Sequence, residues 1–150
     1  MHLDIQLAQT PGFLRRLAAM CYDLVLLFGM LLLAVLILIL PYGALIGEFP
    51  HQEPWHRFAL QLYLLTIIGL FYGFFWVRGG QTLGMRAWRM RLLRDDGTAL
   101  SARDALLRLF WAAVWLAPLG AGLLWMLIDR EGLTPYDRLS HTRLVMTRKA

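Results

Sequence analysis

Apolar residues gather into three long stretches separated by polar ones. Residues 17–40 contain a single charge, Asp23. Residues 58–77 carry no charge and are interrupted by Gln61 and Thr66. Residues 109–128 also carry no charge, but Pro118, Gly120 and Gly122 sit at their middle. A helix needs about 20 residues to cross the hydrocarbon core of a bilayer, where every backbone polar group must be bonded internally. The first two stretches therefore predict transmembrane helices. The third predicts a broken segment, because proline removes a backbone donor and glycine loosens a helix. It is either a kinked full span or a re-entrant hairpin turning at residues 118–122.

Shorter patterns lie between and after these stretches. Trp88-Arg89-Met90-Arg91-Leu92-Leu93 alternates apolar and basic positions, and Asp95-Asp96-Gly97 follows as a turn. Thr142-Arg143-Leu144-Val145-Met146-Thr147 is rich in β-branched and apolar residues. Both read as short strands. A lone strand is not stable in water, so the two are expected to pair with each other, which requires one side of the membrane. This favours a re-entrant third segment. Ser101, three residues before Asp104, predicts an N-cap at the start of that segment. The predicted fold class is an all-α membrane protein with two transmembrane helices, a third broken segment and a small cytoplasmic two-strand element. It forms a single integral membrane domain over residues 1–150.

Charge sets the orientation. The chain has 15 basic residues, 14 of them arginine, against 10 acidic ones, for a net charge of +5. Residues 78–108 hold seven arginines, whereas the loop at 41–57 holds only Arg57 beside Glu48 and Glu53. Basic loops stay in the cytoplasm, so the N-terminus and the 78–108 stretch are expected inside and the first loop outside. The tail adds Arg130, Arg138, Arg143, Arg148 and Lys149, which again indicates the inside. Composition agrees with a membrane setting: 59% of residues are hydrophobic, against about 45–50% in soluble domains. Arginines flanking apolar spans point to anionic lipid headgroups rather than nucleic acid, for which no reader motif is present. Cys21 stands alone, so no disulfide framework exists. The apolar run at 24–40 is longer than a signal-peptide core and no small-residue cleavage site closes it.

Asp23 is the leading candidate for chemistry, because an ionisable group inside a span needs pairing, water or a proton. Arg16 stands seven residues earlier, nearly two helical turns, so both project from one face about 10 Å apart along the axis. Gly79, Gly80, Gln81, Thr82 and Gly84 form a glycine-rich turn leaving the second span, with Gln81 and Thr82 placed to cap backbone groups. Gly69 and Gly73 have the spacing of a close helix-packing face, within the chain or in a homo-oligomer. His51, Glu53 and His56 share the outer loop, where Pro54 is expected to prevent a regular helix; they match no metal motif. No catalytic constellation or cofactor fingerprint is present, which argues against an enzyme.

These motifs together resemble the RDD family of small bacterial membrane proteins. The resemblance is carried by the opening Gly12–Asp23 stretch, by Gly79-Gly80-Gln81-Thr82-Leu83-Gly84-Met85-Arg86, and by the closing stretch from Tyr136 to Val145. The family is named for one arginine and two aspartates, which match Arg16, Asp23 and Asp137. His141 stands where the family commonly has glycine, and Tyr136 where it commonly has histidine. The resemblance implies a multi-pass protein of the bacterial cytoplasmic membrane, and some members are linked to exchange of monovalent cations for protons. The leading expectation is exchange of a small monovalent cation for protons at an inner-leaflet site, with Asp23 as the titrating group, Arg16 as its charge partner and Asp137 as a second carboxylate; the alternative is a non-transporting membrane accessory or scaffold protein in which this Arg/Asp cluster is structural. A chain this small would transport only as a homo-oligomer or with a partner.

Overall fold

The computed structural model describes residues 9–46, 54–117 and 120–147. His51, Glu53, Pro118, Arg148 and Lys149 lie outside the described residues. The first two apolar stretches form the longest helices, α1 (Phe13–Ile46) and α2 (Pro54–Gly79). At 34 residues α1 is about 50 Å long, which exceeds the roughly 30 Å hydrocarbon core. α2, with 26 residues, reaches about 39 Å. Both are long and apolar enough to cross a membrane. Their outward side chains are large and apolar, including Val25, Phe28, Ile37, Phe58 and Leu65. A soluble protein rarely shows so continuous an apolar exterior, whereas lipid favours it.

Pro54 does not bar a helix, contrary to the expectation from the sequence. It occupies the first position of α2, where its missing N–H would have no helical partner in any case. His56 therefore lies within α2, with its ring centroid 3.6 Å from that of Trp55.

The chain divides into two compact units, Leu24–Phe71 and the combination of Met1–Asp23 with Tyr72–Ala150. In the first, the Tyr63 hydroxyl donates to the Ala34 carbonyl at 3.3 Å. The second contains α3 (Leu83–Ala87), β1 (Met90–Arg94), α4 (Ala102–Leu116), α5 (Ala121–Trp125), α6 (Pro135–Leu139) and β2 (Thr142–Met146). The strands pair antiparallel, with Met90 opposite Met146 and Leu92 opposite Leu144. Met90, Leu92 and Leu144 pack with Ala19, Trp76 and Ala105 to form the apolar core of this unit. A two-stranded ribbon is marginal alone, and this core supplies the burial that holds it.

The third apolar stretch is broken. α4 has 15 residues and α5 has five, so no continuous helix of spanning length covers residues 109–128 among those described. α5 folds against α4: a Cβ at Gly122 would stand 2.7 Å from the Trp115 Cβ. α4 starts on a capping box in which the Ser101 hydroxyl accepts from the Asp104 N–H and the Asp104 carboxylate accepts from the Ser101 N–H.

Each strand is preceded by a left-handed residue, Arg89 (φ 55°) and His141 (φ 51°). Their carbonyls extend the ladder, accepting from Thr147 N–H at 2.8 Å and Asp95 N–H at 3.1 Å. The left-handed region costs a residue with a Cβ about 1–2 kcal/mol, and glycine enters it freely. The conformation at 141 thus gives a physical reason for a glycine there. His141→Gly is expected to raise stability by about 0.5–1 kcal/mol, the strain relief less the added freedom of the unfolded chain. Thermal unfolding in detergent should show the variant melting above the parent.

Candidate functional site

Asp137 is the third residue of α6, a one-turn helix opened by Thr134 and Pro135. The Thr134 hydroxyl accepts from the Asp137 N–H at 3.2 Å, and Asp137 Oδ2 accepts from the Thr134 N–H at 3.1 Å. This capping box fixes the direction of the carboxylate. Arg16 Nη1 then donates to Oδ2 at 2.6 Å, and Arg108 Nη2 lies 2.7 Å from Oδ1 as a close ion pair. Asp137 is fully buried, and Arg16 and Arg108 are only 3% and 4% exposed.

Two guanidiniums face one carboxylate, so the cluster carries an excess positive charge away from water. Carbonyls and rings stabilise it. Arg16 also donates to the carbonyls of Gly132 at 3.2 Å and Pro11 at 3.4 Å. Arg108 donates to the Thr142 hydroxyl and lies over the rings of Trp76 and Tyr136, 5.4 and 5.2 Å from their centroids. Arginine tolerates such surroundings because its charge is spread over a planar, weakly hydrated group. Burial alone would push the Asp137 carboxyl up, but Arg108 and Arg16 outweigh it and hold the group below the ordinary carboxylate range. Asp137 is therefore ionised at neutral pH.

Asp23 has different partners. The Thr82 hydroxyl donates to Oδ2, and the Gly84 N–H donates to Oδ1 at 2.8 Å. The Thr82 oxygen also accepts from the Met85 N–H at 3.1 Å, so Asp23 and Thr82 together cap the start of α3. Residues 82–84 are thus the capped entry to a short helix rather than a plain turn. The close approach explains Gly84: a Cβ there would lie 2.3 Å from the Ala19 carbonyl oxygen and 2.9 Å from Asp23 Oδ1. Gln81 Nε2 donates to the Met90 carbonyl at 2.7 Å, which ties the turn to β1.

The structure joins Arg16 to Asp137 and gives Asp23 a separate set of partners, with no ion pair to Asp23 among the described residues. Gly79 and Gly73 face open space, since a Cβ at either would meet nothing within 4 Å, and Gly69 is half-buried on the same helix. Among the described residues, no three His, Cys, Asp or Glu side chains gather as metal ligands. Sequence reasoning missed Arg108 as a partner of Asp137, because it counted only as one of many loop arginines. Thr134 was marked in the sequence by Thr-Pro-Tyr-Asp, a capping-box pattern.

A family model described as the RDD family matches residues 10–141. The chain belongs to the RDD family. The matched span takes in Arg16, Asp23 and Asp137, together with Arg108, which the RDD name leaves out. No curated protein and no solved structure matches this RDD chain.

Removing one partner of a buried ion pair leaves an uncompensated charge and costs about 3–5 kcal/mol. Asp137→Asn, which strands two buried guanidiniums, is expected to lose that much, whereas Arg108→Gln, which leaves the Arg16–Asp137 pair balanced, should cost less; detergent unfolding curves check both. The depressed Asp137 pKa also sets a pH dependence. Its stabilisation is complete above the unfolded carboxylate value of about 4 and disappears as pH falls through the lower folded value. Thermal stability should therefore drop below about pH 4 in the parent and change less there in Asp137→Asn. Gly84→Ala should separate α3 from α1 and destabilise by about 1–3 kcal/mol, read from the same curves.

Proposed function

We propose that this RDD chain is a multi-pass protein of the bacterial inner membrane that acts as a non-transporting accessory or scaffold unit. Its Arg/Asp cluster is structural and fastens the tail to the first helix. The observation that carries this reading is the surroundings of Asp137: a guanidinium lies within 2.7 Å of each carboxylate oxygen and the group is fully buried. A carrier carboxylate must exchange its proton or cation with solvent, and a carboxylate between two permanent cations attracts neither.

The membrane placement has both termini in the cytoplasm. Pairing of β1 with β2 supports it, because hydrogen-bonded strands share one side and the chain between them must cross an even number of times. Seven arginines in residues 78–108 favour the inside for that side. In this reading α4 and α5 enter the bilayer from the cytoplasmic face and return. Leu106, Phe110 and Val114 recur every four residues as an exposed stripe on α4, and Leu127 and Ile128 after α5 are exposed as well, as an interfacial element requires. The open face at Gly73 suits close approach of a second copy, so a homo-oligomer belongs to the proposal.

A second reading keeps monovalent-cation/proton exchange. Asp23 favours it, being a buried carboxylate on a long apolar helix with hydroxyl and amide partners and no paired cation. Reconstituted protein separates the two. Under sodium, potassium or lithium gradients, proteoliposomes are expected to show no cation-driven proton movement. Flux in the parent that Asp23→Asn abolishes, with the variant still folded and in the same oligomeric state, would replace the scaffold reading by exchange.

A further inference from the structure

The arginines of the unit that contains the buried cluster fall into two groups. Arg16 and Arg108 face Asp137; Arg138 meets Asp129 at 2.8 Å; Arg143 meets Glu131 at 3.1 Å; Arg94 stands 3.6 Å from Asp104. Arg15, Arg86 and Arg89 belong to the second group: like Arg78, Arg103 and Arg130 they are exposed and form no ion pair with an acid among the described residues.

Arg15, Arg86 and Arg89 are gathered at one end of the sheet. Arg15 Nη1 lies 3.3 Å from Met146 Sδ. Met146 is the ladder partner of Met90. Arg89 immediately precedes Met90, and its carbonyl accepts from the Thr147 N–H at 2.8 Å. The Arg89 N–H in turn donates to the Arg86 carbonyl at 3.2 Å. Arg15, in the first turn of α1, thus reaches this end of the sheet through its side chain, and Arg86 in α3 and Arg89 before β1 are tied to the same end through their backbones. Large apolar side chains stand beside them in the chain: Leu14 is 76% exposed, Trp88 43% and Leu83 42%. Arg89 adopts the left-handed backbone conformation, which is disfavoured for arginine. Residues held in such conformations concentrate at ligand sites.

We propose that this end of the sheet binds the headgroup phosphate of an anionic phospholipid. Arg15, Arg86 and Arg89 supply donors to the phosphate oxygens, and Leu14, Leu83 and Trp88 meet the acyl region below. Guanidinium forks match phosphate geometry, and tryptophan settles at the boundary of headgroup and chain. The location selects lipid as the occupant. Arg15 is the third residue of the long apolar helix α1, which places uncompensated charge at the start of a candidate span. The inference rests on the membrane placement proposed above, and not on whether the protein transports.

The test uses the full chain in phosphatidylcholine nanodiscs doped with phosphatidylglycerol brominated on its acyl chains. Quenching of Trp88 is isolated as the difference between the parent and Trp88→Phe. The expected result is a preference for phosphatidylglycerol in the parent that falls at least about tenfold in Arg15→Gln/Arg86→Gln/Arg89→Gln. The corresponding triple lysine variant, which keeps the charge but not the guanidinium fork, should retain more of the preference than the triple glutamine variant, and the control Arg103→Gln/Arg130→Gln should keep it. An unchanged preference in the triple glutamine variant overturns the proposal, as does an equal loss in the control. Displacement by millimolar glycerol phosphate would reassign this end of the sheet to a soluble phosphate and also overturn it. A chain that fails to enter bilayers defeats the membrane placement, whereas a reconstituted chain indifferent to phosphatidylglycerol defeats this inference alone.

Discussion

A carboxylate shut away from water must be neutralised where it stands, and Asp137 imposes that requirement on this chain. It is fully buried, and its two neutralising guanidiniums come from α1 and α4. Arg16 can pair only if the first turn of α1 lies against α6. Arg108 can pair only if α4 runs beside the same helix, between the rings of Trp76 and Tyr136. The position of each element is therefore a condition for the charge balance of the others. Such a cluster contributes less to net stability than its short distances suggest, because desolvating three ions is costly. Its effect is selective. Arrangements in which any of the three loses its partner are strongly disfavoured, so one arrangement of these helices remains.

Local capping turns that requirement into geometry. Asp137 and Asp104 each occupy the third position of a capping box, so each carboxylate is aimed by the backbone that follows a Thr or Ser cap. Asp23 works across elements instead. From within α1 it reaches the amide of Gly84 and the hydroxyl of Thr82, and so orders a five-residue helix too short to persist alone. The glycine is needed because the two backbones approach more closely than a methyl group allows.

Much of this was legible in the sequence. Uncharged runs of about 20 residues marked the two long helices, and a proline with two glycines marked the break in the third stretch. The alternation at 88–93 and the β-branched tail marked strands that could stabilise only each other. The start of α2 departs from the expectation of a loop at residue 54, because proline breaks a helix only in its interior and here it stands at the first turn. The pairing within the cluster was hidden. A seven-residue spacing put Arg16 and Asp23 on one helix face, but spacing along a helix says nothing of a competing carboxylate 121 residues away. Nothing in the linear pattern separated Arg108 from the other arginines; its distinction is tertiary, a matter of the rings and the carboxylate around it.

The 121-residue separation of Arg16 and Asp137 also has a consequence in time. At about 5–20 residues per second, a ribosome needs roughly 6–24 seconds after making Arg16 to reach its partner. During that interval both apolar hairpin helices and Arg108 are already synthesised, and two guanidiniums await a single anion. Biosynthesis thus separates the making of the first helix from its locking. The helix is made as an unfastened piece, and a segment made 121 residues later closes the ion pair that fixes it.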